Sequence, residues 1–151
     1  MSLQKRIDDD LIQALKGRDS LKATTLRGLK SDFKYKKIDK GAELTDDDLI
    51  AVLSTAAKRH RESIEQFAAG NRGDLVQKET AELNIITSYL PEQMTEEKLR
   101  QIIAEVIKET GADSPAKTGA VMKEVMPKVK GQADGKLVSK IVAELLAVKK
   151  D

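Results

Sequence analysis

Among the side chains here that could do chemistry, one set is a run of lysines in the last quarter of the chain. Between Lys117 and Val142 stand Lys117, Lys123, Lys128, Lys130, Lys136 and Lys140, against Glu124 and Asp134 as the acids of that stretch. Ammonium groups displace counterions from a phosphate backbone, so the chemistry on offer is the binding of a polyanion. The stretch holds no Arg and no aromatic residue. Bidentate base reading and base stacking therefore have little to work with, which favours the outline of a folded RNA over single strands or sequence-specific DNA. Gly119 and Gly135 are places where RNA or a neighbouring helix can come close. The competing reading is a solvated lysine face, with those glycines serving helix packing.

Other groups offer less. Arg27, Lys30, Lys34 and Lys37 recur at helical steps and would form a second basic face, or pair with acids such as Asp32 and Glu62. His60 is the sole histidine. An imidazole catalyst needs an orienting acid and a nucleophile; Glu62 and Ser63 are close in sequence but point elsewhere on a helix, so a half-buried structural role is expected. Asp46, Asp47 and Asp48 lack the alternating spacing of a calcium loop and read as a helix cap. Gly70, Asn71, Arg72 and Gly73 lack the Gly-Lys-Ser/Thr ending of a phosphate loop and read as a tight turn. There is no cysteine. No catalytic set, metal-ligand set or cofactor motif is singled out.

The elements that must position the lysines are helices. Ser114 and Pro115 start one, with Gly119, Met122, Val125, Met126 and Val129 on a shared face. Pro127 bends or ends it, and Gly131 supplies a left-handed turn. Asp134 caps the next helix, whose stripe is Leu137, Val138, Ile141, Val142, Leu145 and Leu146. Upstream, Ser2 caps a helix with Leu3, Ile7, Leu11, Ala14 and Leu15 inward, ended by Gly17. Asp19 or Ser20 opens a second, with Leu26, Leu29 and Phe33 inward, stopped by Gly41. Thr45 caps a third, stapled by Leu44 and Leu49 and ended at Gly70. Asp74 is expected to cap a fourth carrying Val76, Leu83, Ile86 and Leu90. Pro91 breaks the chain. Thr95 caps a fifth helix with Leu99, Ile102, Ile103, Val106 and Ile107, closed by Gly111. The expected fold is all-α: four helices in a domain of residues 1–91, then a three-helix bundle in residues 92–151.

Aromatic residues make up 3% of the chain and Trp is absent, so any core must be aliphatic. No run approaches the roughly 20 apolar residues of a membrane span, and Asp8, Asp9 and Asp10 interrupt any apolar leader; a cytoplasmic location is expected. Residues 1–40 hold 11 Lys and Arg against 6 Asp and Glu, residues 41–110 hold 8 against 14, and residues 111–151 hold 8 against 5. Two basic ends thus flank an acidic middle, an arrangement that can meet a polyanion end-on or pair with itself.

Gly119, Met122, Met126-Pro127-Lys128, Lys130-Gly131 and Ala133-Asp134-Gly135-Lys136 resemble the C-terminal domain shared by the YqeY proteins and the tail of GatB, a component of the tRNA-dependent amidotransferases. Leu26-Arg27, the segment from Glu62 to Phe67, Arg72-Gly73-Asp74-Leu75 and Tyr89-Leu90-Pro91 extend the resemblance to YqeY over nearly the whole chain. The resemblance implies a tail that touches the outer corner of tRNA. The RNA-contacting residues would be Lys117, Gly119, Lys123, Lys128, Lys130, Gly131, Lys136 and Lys140. The cradle domain that performs amidation in the amidotransferase has no counterpart in the sequence, nor does the Ser-Ser-Lys arrangement of its glutamine-hydrolysing component. The expectation is an accessory module without its own active site or cofactor. Alternatives are an adaptor for the amidotransferase or an aminoacyl-tRNA synthetase and, by family name alone, a carbon–nitrogen ligase taking nitrogen from glutamine.

Overall fold

The computed structural model describes residues 2–148, which form seven α-helices with no strand among them. In order these are α1 (Leu3–Lys16), α2 (Ser20–Lys40), α3 (Asp46–Ala69), α4 (Gly73–Thr87), α5 (Glu96–Thr110), α6 (Thr118–Val125) and α7 (Gly135–Val148). Short 3-10 turns flank α6, Pro115–Lys117 before it and Met126–Lys128 after it. The chain divides into two compact units after Pro91: α1 to α4 belong to the first, α5 to α7 to the second.

Caps decide where the helices begin. Side chains of Ser2, Asp19, Thr45 and Thr95 each accept a hydrogen bond from a backbone N–H three residues on, satisfying donors that a first turn leaves orphaned. Thr45 and Asp48 form a reciprocal capping box: the Asp48 N–H donates to Thr45 Oγ1 at 3.1 Å and the Thr45 N–H to Asp48 Oδ2 at 2.9 Å. Lys40 also reaches Asp48 Oδ2. Together these bonds hold the Asp48 carboxyl down at about 2, the Lys40 bond having the largest effect. Gly41 and Gly111 end α2 and α5 at φ 73° and 69°, a conformation that costs residues with a Cβ.

Each unit has its own core, the second aliphatic and the first aliphatic but for Phe33 and Tyr89. In the first, Ile7, Leu26, Leu29, Phe33, Leu49, Leu53, Ile86 and Tyr89 are all at most 5% exposed. The longest contact is between α3 and α4, joined by the tight turn at Gly70–Arg72, in which Asn71 takes φ 58°. In the second, Leu99, Ile103, Val106 and Ile107 of α5 pack with Val121 and Val125 of α6, with Val129, and with Val138, Ile141, Val142 and Leu146 of α7. Arg100 straps α5 to α7 by donating to Glu144 at 2.8 Å, and that bond holds the Glu144 carboxyl below the usual carboxylate range.

The expected stripes hold with local differences. Leu15 is 46% exposed, because it projects from α1 to one side of the Ile7–Leu11–Ala14 seam. Asp74 is not the cap of α4: that position falls to Arg72, and Asp74 sits in the first turn, accepting from Arg72 Nε and Nη2 at 3.2 Å each. The face of α6 that is buried carries Val121 and Val125, while Met122 and Met126 are half-buried and Gly119 is exposed. The segment after Ser114 begins as a 3-10 turn, with Pro115 at its start and no side-chain cap from Ser114.

Candidate nucleic-acid interface

Lys117, Lys123, Lys128, Lys130, Lys136 and Lys140 are all exposed on α6, α7 and the segments around them. Their positions follow from the packing of the second unit. Val121, Val125 and Val129 bury one side of α6 and its extension, and Pro127 converts the last turn to 3-10 geometry. Val129 N–H is then shared between the carbonyls of Val125 and Met126 at 3.3 Å each. Gly131 takes φ 75°, and α7 starts with the Lys136 N–H donating to Asp134 Oδ1 at 3.3 Å. Lys136 and Lys140 are four apart on α7 and share its outer face, as Gly119 and Lys123 do on α6.

The chain leading into α5 holds the turn in place. Met94 N–H donates to Gln132 O at 2.8 Å, Gln93 Nε2 to Gly131 O at 2.8 Å, and Gln132 Nε2 to Glu92 O at 3.3 Å. The basic turn is thus fixed from outside as well as by its own helices.

Local charge is less one-sided than the stretch suggests. Lys117 Nζ lies 3.0 Å from Asp113 and Lys128 Nζ 3.8 Å from Glu109, acids just upstream of it. Both acids are more than two-thirds exposed, so solvent screens these pairs heavily. The glycine expectation also changes. A Cβ on Gly119 would meet nothing within 4 Å, and one on Gly135 would make only an ordinary contact of 3.7 Å with Met126 Cε. Helix packing therefore requires neither glycine.

On α2, Arg27, Lys30, Lys34 and Lys37 are all exposed. Lys30 meets Asp8 at 2.9 Å and Lys37 meets Glu43 at 2.6 Å; these acids, rather than Asp32 and Glu62, are the ones brought within reach. Lys30, Lys34 and Lys37 line an open cleft of about 460 Å³ with Phe33, Glu43 and Leu44.

One constellation has no signal in local spacing. His60 on α3 is half-buried, as expected of a structural histidine, and lies against Glu79 and Glu82 of α4. These residues are 19 and 22 positions apart, and only the folding back of α4 on α3 joins them.

Fold and surface together define a two-unit helical protein that ends in a basic helix–turn–helix. The chain belongs to the YqeY-like family, whose profile matches residues 4–146. Among curated proteins it is similar to altered inheritance of mitochondria protein 41 of Lachancea thermotolerans, 42% identical over 82 residues, covering 54% of this chain and 44% of that one. The corresponding protein of Kluyveromyces lactis is 36% identical over 95 residues, covering 60% and 51%. An uncharacterized protein of Schizosaccharomyces pombe is 32% identical over 91 residues, covering 60% and 74%. The chain spans about half the length of the first two. Both of those relatives are named as mitochondrial proteins. Among the described residues, no helix is long and apolar enough to cross a membrane.

Proposed function

We propose that this chain is an RNA-binding accessory module that rests α6, the turn at Gly131 and α7 against a folded tRNA. Bond making in tRNA-dependent amidation would fall to a separate polypeptide. The observation that carries this reading is Gly119: an exposed glycine on a helix, one turn from Lys123, with open space where a Cβ would sit. A helical glycine gives up roughly 1 kcal/mol relative to alanine, and packing gives no reason for it. Close approach of a sugar–phosphate backbone does. Lys128, Lys130, Lys136 and Lys140 lie around the fixed turn and would supply the charge.

The test is an anisotropy titration with unfractionated tRNA. For about four phosphate contacts, affinity should fall on the order of 100-fold between roughly 50 and 200 mM salt. The triple variant Lys128→Glu, Lys130→Glu, Lys136→Glu should weaken binding by more than about tenfold, with its circular dichroism unchanged. Equal affinity of wild type and variant would remove the reading.

A protein-adaptor reading draws on a different observation: Tyr35 and Ile38 on α2 are 69% and 68% exposed. A docked amidotransferase or synthetase would cover them, and its capture would survive ribonuclease. An RNA module suits translation in the cytoplasm, the location expected from sequence, and equally in the mitochondrion for which two of the relatives are named. Fractionation of tagged protein separates the two.

A further inference from the structure

We propose that His60, Glu79 and Glu82 form a binding site for one divalent transition-metal ion of the zinc class. The inference is independent of the RNA reading and rests on where protons can be. His60 Nδ1 lies 2.9 Å from the carbonyl oxygen of Ala56. A carbonyl only accepts, so Nδ1 carries the proton and donates. In the neutral ring Nε2 is then an acceptor. It faces Glu82 Oε2 at 3.0 Å and Glu79 Oε2 at 3.6 Å, and ionised carboxylates are acceptors too. Three acceptor atoms within 4.8 Å of one another call for a positive centre between them.

Two centres fit in principle, a second proton on the ring or a metal ion, and the surroundings favour the ion. Ligands held about 2.0–2.1 Å from a tetrahedral zinc ion stand about 3.3 Å apart, and the two distances from Nε2 bracket that spacing. Two carboxylates and a neutral imidazole balance a doubly charged cation, where a proton would leave one negative charge over. Lys78, the nearby base, reaches the other Glu82 oxygen, Oε1, only at 4.0 Å. The bond from Nδ1 to Ala56 O is the outer contact that fixes tautomer and ring orientation in metal-binding histidines. All three side chains are between 15% and 22% exposed and stand on packed helices. An adjoining cleft of about 140 Å³, lined by His60, Glu82, Asp32, Thr25 and Gly28 among others, leaves the fourth position open to water or a small ligand.

The experiment is calorimetric titration of the chelator-treated full chain with zinc chloride, followed by nitrogen NMR of the ring. One equivalent should bind. His60→Gln and Glu82→Gln should each reduce affinity by at least about tenfold, while circular dichroism reports that the fold is kept. Because His60 is the chain's sole histidine, its two ring nitrogens are assigned without mutation, and zinc should move Nε2 while Nδ1 keeps its proton. Zinc binding that His60→Gln leaves intact would overturn the proposal. So would a ring that holds both protons at neutral pH and does not respond to zinc, which would make the cluster an imidazolium bridge.

Discussion

Tyr89 shows how single residues set the stability of the first unit. Its ring is 5% exposed, its hydroxyl donates to Asp10 Oδ2 at 2.6 Å, and the Arg6 guanidinium lies 4.9 Å from the ring centre. Burial first, and then the bond to Asp10, push the phenol well above its ordinary value of 10. Its stabilising contribution is therefore complete below pH 10 and is lost as pH rises through the raised folded value. Asp48 has the opposite sign: depressed from 3.8 to about 2, it stabilises above pH 4 and loses that effect as pH falls towards 2. Urea titrations should accordingly show stability declining at both ends of the pH range. Tyr89→Phe should cost about 1–2 kcal/mol at neutral pH, as loss of a hydrogen bond to a charged acceptor does, and should flatten the alkaline limb.

Among the helices, contrasting glycines separate folding from binding. Gly131 sits at φ 75°, where a Cβ costs roughly 1–2 kcal/mol, so Gly131→Ala should lower the unfolding free energy by about that much. Gly119→Ala should leave stability unchanged or raise it by up to about 1 kcal/mol, yet weaken tRNA binding in the same anisotropy titration. Such elements are legible in the sequence where a backbone rule has one outcome. Gly41, Gly111 and Gly131 mark turns because few other residues take positive φ, and Thr45 with Asp48 marks a start because the capping box is local. The apolar stripes are legible because burial follows helical period. What escapes depends on the partner helix. Leu15 falls just outside the seam that α1 presents, and Lys128 finds Glu109 only once α5 and the turn after α6 have packed. The His60 cluster is the extreme case, made wholly by the antiparallel return of α4.

For the molecule as a whole, the notable point is that two separate cores serve one short chain. The second is assembled from α5, α6, the Val129 turn and α7, with no residue from the first among its buried members. Residues 92–151 expressed alone should therefore give a helical dichroism spectrum and a cooperative melt, although at this size the margin is small. A featureless melt would show that the core depends on more than its own members.

The three bonds from Glu92, Gln93 and Met94 to the loop at Gly131 and Gln132 have a wider consequence. They act as a clasp, so the segment entering α5 and the lysine-bearing loop must loosen or tighten together. A molecule that settles on the loop therefore need not touch Met94 to slow its amide's exchange with deuterated solvent. The latch built into the hinge of this small bundle doubles as a gauge of whether its basic tip is occupied.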